Sequence, residues 1–395
     1  MALVSLLVLT LVTTRAAQAQ TYNVLHSFSG GGDGGTPSAG LMMDRTGNLY
    51  GTAQYGGAGN GTVFKLSHPG SGWILSILYA FQGGNDGLGP ESRVIFGPDG
   101  GLYGTTTSGG FQGYGTVFEL RPPVTACKSV ICPWTETVLY RFQGGSDGID
   151  PAYGDLTFDP MGNLYGTTSG GGLQLCGGNT CGVVYKLTRS GGSWTESVLY
   201  SFTGGNDGGT PYSGVILDST GNLYGTAYYG GANTLGTVYE LSPAGLAWTE
   251  KTLTDFSGGG GSPLGGLTFD PQGNLFGTGF SGGTAFELKP SGGNWIYSLL
   301  YTFNGFDGPF GSLTLDGAGN VYGTNSSGGT YDQGFVFKLT PANGGWTFAD
   351  LYDFTGGNDG GFPLSNVILD SKGNLYGTAY LGGAAGYGVV WEITP

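Results

Sequence analysis

Apolar residues in this chain recur in short alternating runs separated by glycine-rich turns. No stretch shows helical spacing with caps, so almost no helix is expected. Between Gly214 and Phe256, Val215–Asp218 is a short apolar run and Ser219–Asn222 has turn chemistry. Leu223–Thr226 is a second run, and a glycine loop leads to the alternating strand Thr237–Leu241. After a turn over Ser242–Leu246, Trp248–Phe256 is a fourth strand rich in Thr, Leu and aromatics. We call these strands A, B, C and D. Strand B carries the phrase GNLYGT, and variants of it recur seven times, centred on Tyr50, Tyr103, Tyr165, Tyr224, Phe276, Tyr322 and Tyr376, 46 to 62 residues apart. A period of that size marks one supersecondary unit repeated. Four antiparallel strands repeated seven times predict an all-β fold, a seven-bladed β-propeller forming a single domain over residues 20–395.

The chain ends predict how the ring closes. Tyr22–Phe28 matches the D strand Leu199–Phe202, and the last run, Gly388–Ile393, matches strand C. The last blade therefore lacks its own D, and the N-terminal strand is expected to supply it, leaving no open edge. In the other six units a tryptophan stands eight residues before the D-strand phenylalanine, at Trp73, Trp134, Trp194, Trp248, Trp295 and Trp346.

Composition changes this picture in three ways. Glycine is extreme, 85 of 395 residues, yet the apolar alternation between glycines argues for order rather than disorder. Charged residues are only 10%, the net charge is −14 and no basic cluster occurs, which excludes nucleic acid and anionic membrane surfaces as partners. Residues 1–19 read as a secretory signal: an apolar run from Ala2 to Val12, then the small-x-small site Ala17-Gln18-Ala19, without a basic n-region. A membrane anchor is the alternative, but the run is shorter than the ~18 residues a span requires. Four cysteines form two C-x4-C pairs, Cys127/Cys132 and Cys176/Cys181. In an exported chain they read as two local disulfides. The first pair lies between strands C and D and the second between B and C. These connections emerge on opposite faces, which excludes a shared zinc site.

GNLYGT, its glycine loop, the GTVF(K/E)L strand, W-x4-LYxF and GGxDG together resemble the GloVer tandem repeat of secreted bacterial choice-of-anchor proteins. The likeness is carried by Gly221–Thr226, Gly236–Leu241, Trp248–Phe256 and Gly204–Gly208 and covers nearly all of the mature chain. The resemblance implies no catalytic role. Members often carry a C-terminal sorting anchor. This chain stops at Thr394-Pro395 after a strand, so a released protein, or one held by a partner, is expected.

Four sets of residues are candidates for chemistry. The GGxDG aspartates Asp33, Asp86, Asp147, Asp207, Asp307 and Asp359 are calcium candidates, although one carboxylate per loop is few for a dedicated site and Asx-type turn capping is the simpler reading. Asp44, Asp159, Asp218, Asp270, Asp316 and Asp370 close the A–B turns, where D-x-x-G-N is hairpin chemistry; Asp99 serves in the second unit. The B–C loops carry Tyr55, Phe111, Tyr114, Tyr228, Tyr229, Tyr331, Tyr380 and Tyr387. These rings either form a ligand-stacking surface or pack over their own glycines. For catalysis, His26 and His68 belong to unrelated elements, and no nucleophile–base motif occurs. The carboxylates and arginine that break the repeat, Glu91, Arg93, Asp150, Asp155 and Asp332, read as scattered singletons. The expected function is a secreted, monomeric, non-catalytic module binding extracellular carbohydrate or a protein partner through the B–C and D–A loop face, without a cofactor. The alternatives are a polysaccharide hydrolase or lyase with its site near the axis, and a structural matrix component.

Overall fold

The computed structural model describes residues 20–395 except 124–133, 152, 173–175, 177–179 and 304–307. Residues 1–19, expected to be a signal, and Cys127, Cys132 and Asp307 therefore lie outside the described residues. Seven four-stranded antiparallel sheets form the blades of a propeller. In the fourth blade the strands are Ile216–Leu217, Leu223–Ala227, Thr237–Ala244 and Ala247–Asp255. Strand A is shorter than expected, two residues, because the turn takes over at once: Asp218 N donates to Asn222 O. Strands C and D are longer and meet in a two-residue hairpin loop, with Gly245 at φ +70°. Among the described residues the helical content is three short 3₁₀ turns, Gly84–Asp86, Gly145–Asp147 and Gly258–Gly260, all in D–A loops. No helix among them is long and apolar enough to cross a membrane.

Ring closure follows the expectation. Strand Thr21–Ser27 is antiparallel to Val389–Thr394, with Thr21 opposite Thr394 and Tyr22 opposite Ile393, and completes the seventh sheet. Cys176 and Cys181 form a disulfide in the third blade's B–C loop.

Each letter of GNLYGT has a physical task. Gly221 turns the A–B hairpin at φ +93°. Asn222 donates its amide to Asp218 Oδ2 at 3.0 Å. Leu223 is fully buried. The Tyr224 hydroxyl donates to Asp218 at 3.2 Å, while its ring meets Phe269 of the next blade edge-on at 5.3 Å. Gly225 must lack a Cβ, which would stand 2.3 Å from the Tyr239 hydroxyl oxygen. Thr226 Oγ1 reaches the next blade and donates to Gly265 O at 3.1 Å. The same threonine bond joins Thr52 to Ser92, Thr167 to Ser213, Thr278 to Gly311, Thr324 to Ser365 and, across the closure, Thr378 to Ala39. The hydrophobic core lies between blades: Tyr165, Val184 and Phe202 of the third pack with Val215, Leu223, Tyr239 and Leu241 of the fourth. Each such large side chain contributes roughly 1.5–3 kcal/mol on burial.

A second tie runs from the D–A loops. Each blade is entered through a proline, at Pro37, Pro90, Pro151, Pro211, Pro263, Pro309 and Pro363. In all seven loops the residue before it donates its N–H to the B–C loop of the blade behind, as in Thr36 to Tyr387 O at 2.7 Å and Asp150 to Tyr114 O at 3.0 Å. At the outer rim the seams differ. Near the closure they are aromatic, with Tyr22 stacked on Tyr352 at 3.8 Å and Phe348 on Tyr301 at 4.7 Å. Between the first four blades they instead pair carboxyls: Glu136 with Asp86, Glu196 with Asp147 and Glu250 with Asp207. Burial first, and the facing aspartate second, push each of the first two glutamates up to about 7. Glu250 also reaches about 7, through burial and Asp207 against an opposing Thr252 hydrogen bond.

Two outcomes are expected. Deleting residues 21–27 exposes strand Val389–Thr394 and the rim face of the sixth blade, so cooperative thermal unfolding should be lost; calorimetry of the truncated chain checks this. The seam glutamates bind their protons more tightly folded than unfolded, so stability falls as pH rises from 4.5 through about 7. The turn aspartates act oppositely. Burial alone would raise Asp44, but hydrogen bonds from Asn48 and Thr46 outweigh it and hold the carboxyl down at about 2, so that contribution is lost only in strong acid. The melting temperature should therefore peak in mild acid. A Glu136→Gln/Glu196→Gln/Glu250→Gln variant should match the parent near pH 5 and exceed it at pH 8.

Candidate functional site

A cavity of about 580 Å³ runs along the propeller axis. Each blade lines it with residues of the tripeptide that follows the entry proline, and the third to seventh blades also with strand A. The middle residue of the tripeptide is small, Ala, Ser or Gly in all seven blades, because its carbonyl side is the docking point for the neighbouring threonine. The first and third residues face no such demand, and they break the repeat. The first is Ser38, Glu91, Tyr153, Tyr212, Leu264, Phe310 and Leu364 around the ring; the third includes Arg93, Asp155 and Asn366.

The second and third blades make one side of the mouth polar. Glu91 is 8% exposed. It accepts a hydrogen bond from Gln54 Nε2, which follows strand B of the first blade, and another from the Tyr153 hydroxyl. Burial pushes its carboxyl up to about 7; the Tyr153 bond opposes this, the negative charge of Asp150 adds to it, and the Gln54 bond opposes it more weakly. Asp150, the residue before Pro151, is itself raised by burial, against a hydrogen bond from Ser169 Oγ at 3.1 Å. Its Oδ1 is buried without a hydrogen-bond partner. Arg93 Nη2 is paired with Asp155 Oδ2 at 2.7 Å.

Aromatic rings cross the mouth. Tyr229 meets Tyr228 edge-on at 4.6 Å, Tyr228 meets Tyr212 at 5.4 Å, and Tyr212 meets Tyr153 at 6.4 Å. Tyr153 reaches Phe310 at 5.5 Å, and Phe310 meets Phe280 at 5.9 Å. The contact between Tyr153 and Phe310 joins the third blade to the sixth, across the ring. Its cause is legible locally. The third blade has one residue more than the others between proline and tripeptide, and Tyr153 stands at φ +53°. The threonine tie shifts with it: Thr105 Oγ1 donates to Pro151 O at 2.7 Å instead of to the middle carbonyl.

The eight aromatic candidates divide. Tyr228 and Tyr229 belong to the belt. Tyr380, with Tyr55 beside it, lies near Glu91 and Tyr153. Tyr387 and Tyr114 instead cover Gly30 and Gly144 of the D–A turns, where a Cβ would stand 2.6 Å from each ring. Tyr331 lies near Tyr352 on an outer strand, and Phe111, 77% exposed, makes no ring contact among the described residues. Tyr153, Tyr212, Phe280 and Phe310 escaped the sequence reading, although the extra residue before Tyr153 was a visible signal.

The repeat-breaking charges were expected to be scattered. Glu91, Arg93, Asp150 and Asp155 are in fact gathered at the axis, because all four flank entry prolines that the ring brings together. Asp332 stands apart, accepting a bond from Gly328 N at 3.0 Å in its own loop. The GGxDG carboxylates accept bonds from their own loop and strand: Asp86, Asp147, Asp207 and Asp359 from Tyr79, Tyr140, Tyr200 and Tyr352 at 2.8–3.0 Å, and each from a backbone N–H. Asp33 accepts from Ser29 N at 3.0 Å and faces His26 Nε2 at 3.2 Å. Among the described residues no three His, Cys, Asp or Glu side chains form a group able to hold a metal. His68 lies against Trp73, remote in sequence and element from His26.

Solved structures share the architecture. An inactive variant of virginiamycin B lyase from Staphylococcus aureus, with quinupristin, has TM-score 0.58 at 13% identity, covering 95% of this chain and 99% of that one. A streptogramin B lyase has TM-score 0.58 at 16% identity, with 96% and 99% covered. The extracellular domain of a one-component system from B. thetaiotaomicron has TM-score 0.57 at 12% identity, with 95% of this chain and 41% of that chain covered. At these identities the likeness is one of fold. No curated relative matches by sequence. The Gloeobacter/Verrucomicrobia repeat matches residues 10–175, 131–308 and 279–395, which together take in every blade. The chain is thus a member of the Gloeobacter/Verrucomicrobia repeat family, built as a seven-bladed propeller.

Proposed function

We propose that this protein is an exported, monomeric, glycan-binding propeller, and that its site is the axial mouth on the face of the B–C and D–A loops. The observation that carries this reading is the aromatic belt from Tyr229 through Tyr153 to Phe280 beside the buried Glu91. Aromatic faces with a few convergent polar groups are what a sugar ring requires: its C–H face stacks, and its hydroxyls bond to Gln54, Glu91 and Asp150. A cavity of about 580 Å³ suits one or a few sugar residues and is too narrow for a folded partner. Export is supported by residues 1–19 and by the Cys176–Cys181 disulfide. A second reading, a polysaccharide hydrolase or lyase, draws on Glu91, whose carboxyl at about 7 suits a general acid.

The purified protein should be retained on one of a panel of insoluble polysaccharides and should release no sugar into the supernatant. Tyr212→Ala removes the middle of the belt and should weaken retention about tenfold, the loss of roughly 1.4 kcal/mol of stacking. Phe111→Ala, away from the belt, should leave it unchanged. Released products would establish the enzyme reading, and absence of retention on every glycan would overturn the glycan site.

A further inference from the structure

The Glu91 and Asp150 carboxyls at the mouth have no counter-charge of their own among the described residues. Arg93 is the basic residue on the cavity wall among the described residues, and it is engaged by Asp155 at 2.7 Å. The groups facing Glu91 are neutral or acidic: Gln54 after strand B of the first blade, Asp150 and Tyr153 from the third blade's entry loop, and Tyr380 after strand B of the seventh. Asp150 has one oxygen bonded to Ser169 and the other buried without a partner. A buried carboxylate in such a place is costly unless it is protonated or meets a cation.

We propose that the glycan carries a free amine, and that its ammonium group seats between the Glu91 and Asp150 carboxyls against the Tyr153 ring. This rests on the glycan reading above. An ammonium group supplies three donors and a full charge where a hydroxyl supplies one donor. It also gains from the face of an adjacent aromatic ring. The ligand class is therefore an amino sugar with an unsubstituted amine. The N-acetylated form of the same sugar presents a neutral amide and one N–H.

The test compares a glucosamine tetramer with the N-acetylglucosamine tetramer by calorimetry, on the intact protein at pH 7 and moderate salt. The expected result is at least tenfold tighter binding of the free amine. Because the acidic surface attracts any cation, the control is Asp332→Asn, which removes the same charge from the same face outside the site and should keep the preference. Glu91→Gln should abolish it, weakening the free amine at least tenfold more than the acetylated tetramer, and Asp150→Asn should reduce it. The preference should rise from pH 5.5 as Glu91 ionises, fall again at higher pH as the sugar's own ammonium loses its proton, and lose this bell shape in Glu91→Gln. Equal binding, preference for the acetylated tetramer, or a preference that survives Glu91→Gln would overturn the ammonium assignment and leave the glycan site standing. Failure of both tetramers together with every polysaccharide would overturn both.

Discussion

The hydrogen bond from each strand-B threonine to a carbonyl at the entry of the next blade, the tripeptide's middle one in six cases and that of Pro151 in the seventh, is the constraint on which the ring depends. It fixes the distance between neighbouring blades at the axis, where crowding is greatest. A small middle residue is then required in the six tripeptides that receive this bond. The tie from the residue before each entry proline sets the same spacing one layer above. Apolar burial between blades supplies most of the stabilisation, but it is non-directional; these bonds make the number of blades and their angle definite.

That division explains what could be read from the chain. Blade number, strand order and closure were legible because each rests on residues that recur: the glycine at the hairpin, the Asp–Asn–Tyr cluster behind it, the phenylalanine ending strand D. Even the pairing of the first strand with the last followed from counting which strand the last unit lacked, although its register did not. Strand lengths were less legible. The two-residue strand A is cut short by Asp218, whose turn bonding reads in sequence as part of an apolar run.

The site was only half legible, for a reason of the same kind. A pattern search finds what repeats, whereas the mouth is built from what does not. Tyr228 and Tyr229 drew notice as loop aromatics. Tyr153 and Phe310 did not, because they stand in different blades and no local signal says that their rings meet across the axis. Tyr114 and Tyr387 looked equivalent to Tyr228 in sequence, but at their position the ring covers a glycine turn. Glu91, Arg93, Asp150 and Asp155 were visible as exceptions, and their convergence required the ring to be closed.

Closure by the strand Thr21–Ser27 also bears on the order of assembly. This strand and its partner Val389–Thr394 stand on opposite sides of the seven repeats in sequence. Neighbouring blades can pack on one another through contacts close in sequence, but the ring stays open and one rim seam stays wet until these two strands meet. Joining ends some 370 residues apart carries a loop-closure entropy of about 5 kcal/mol if the chain between is disordered, and far less if it is already a curved stack of blades. Folding is thus arranged so that the long-range step comes last and is the least costly, and the mouth, whose walls come from all seven blades, exists only after it.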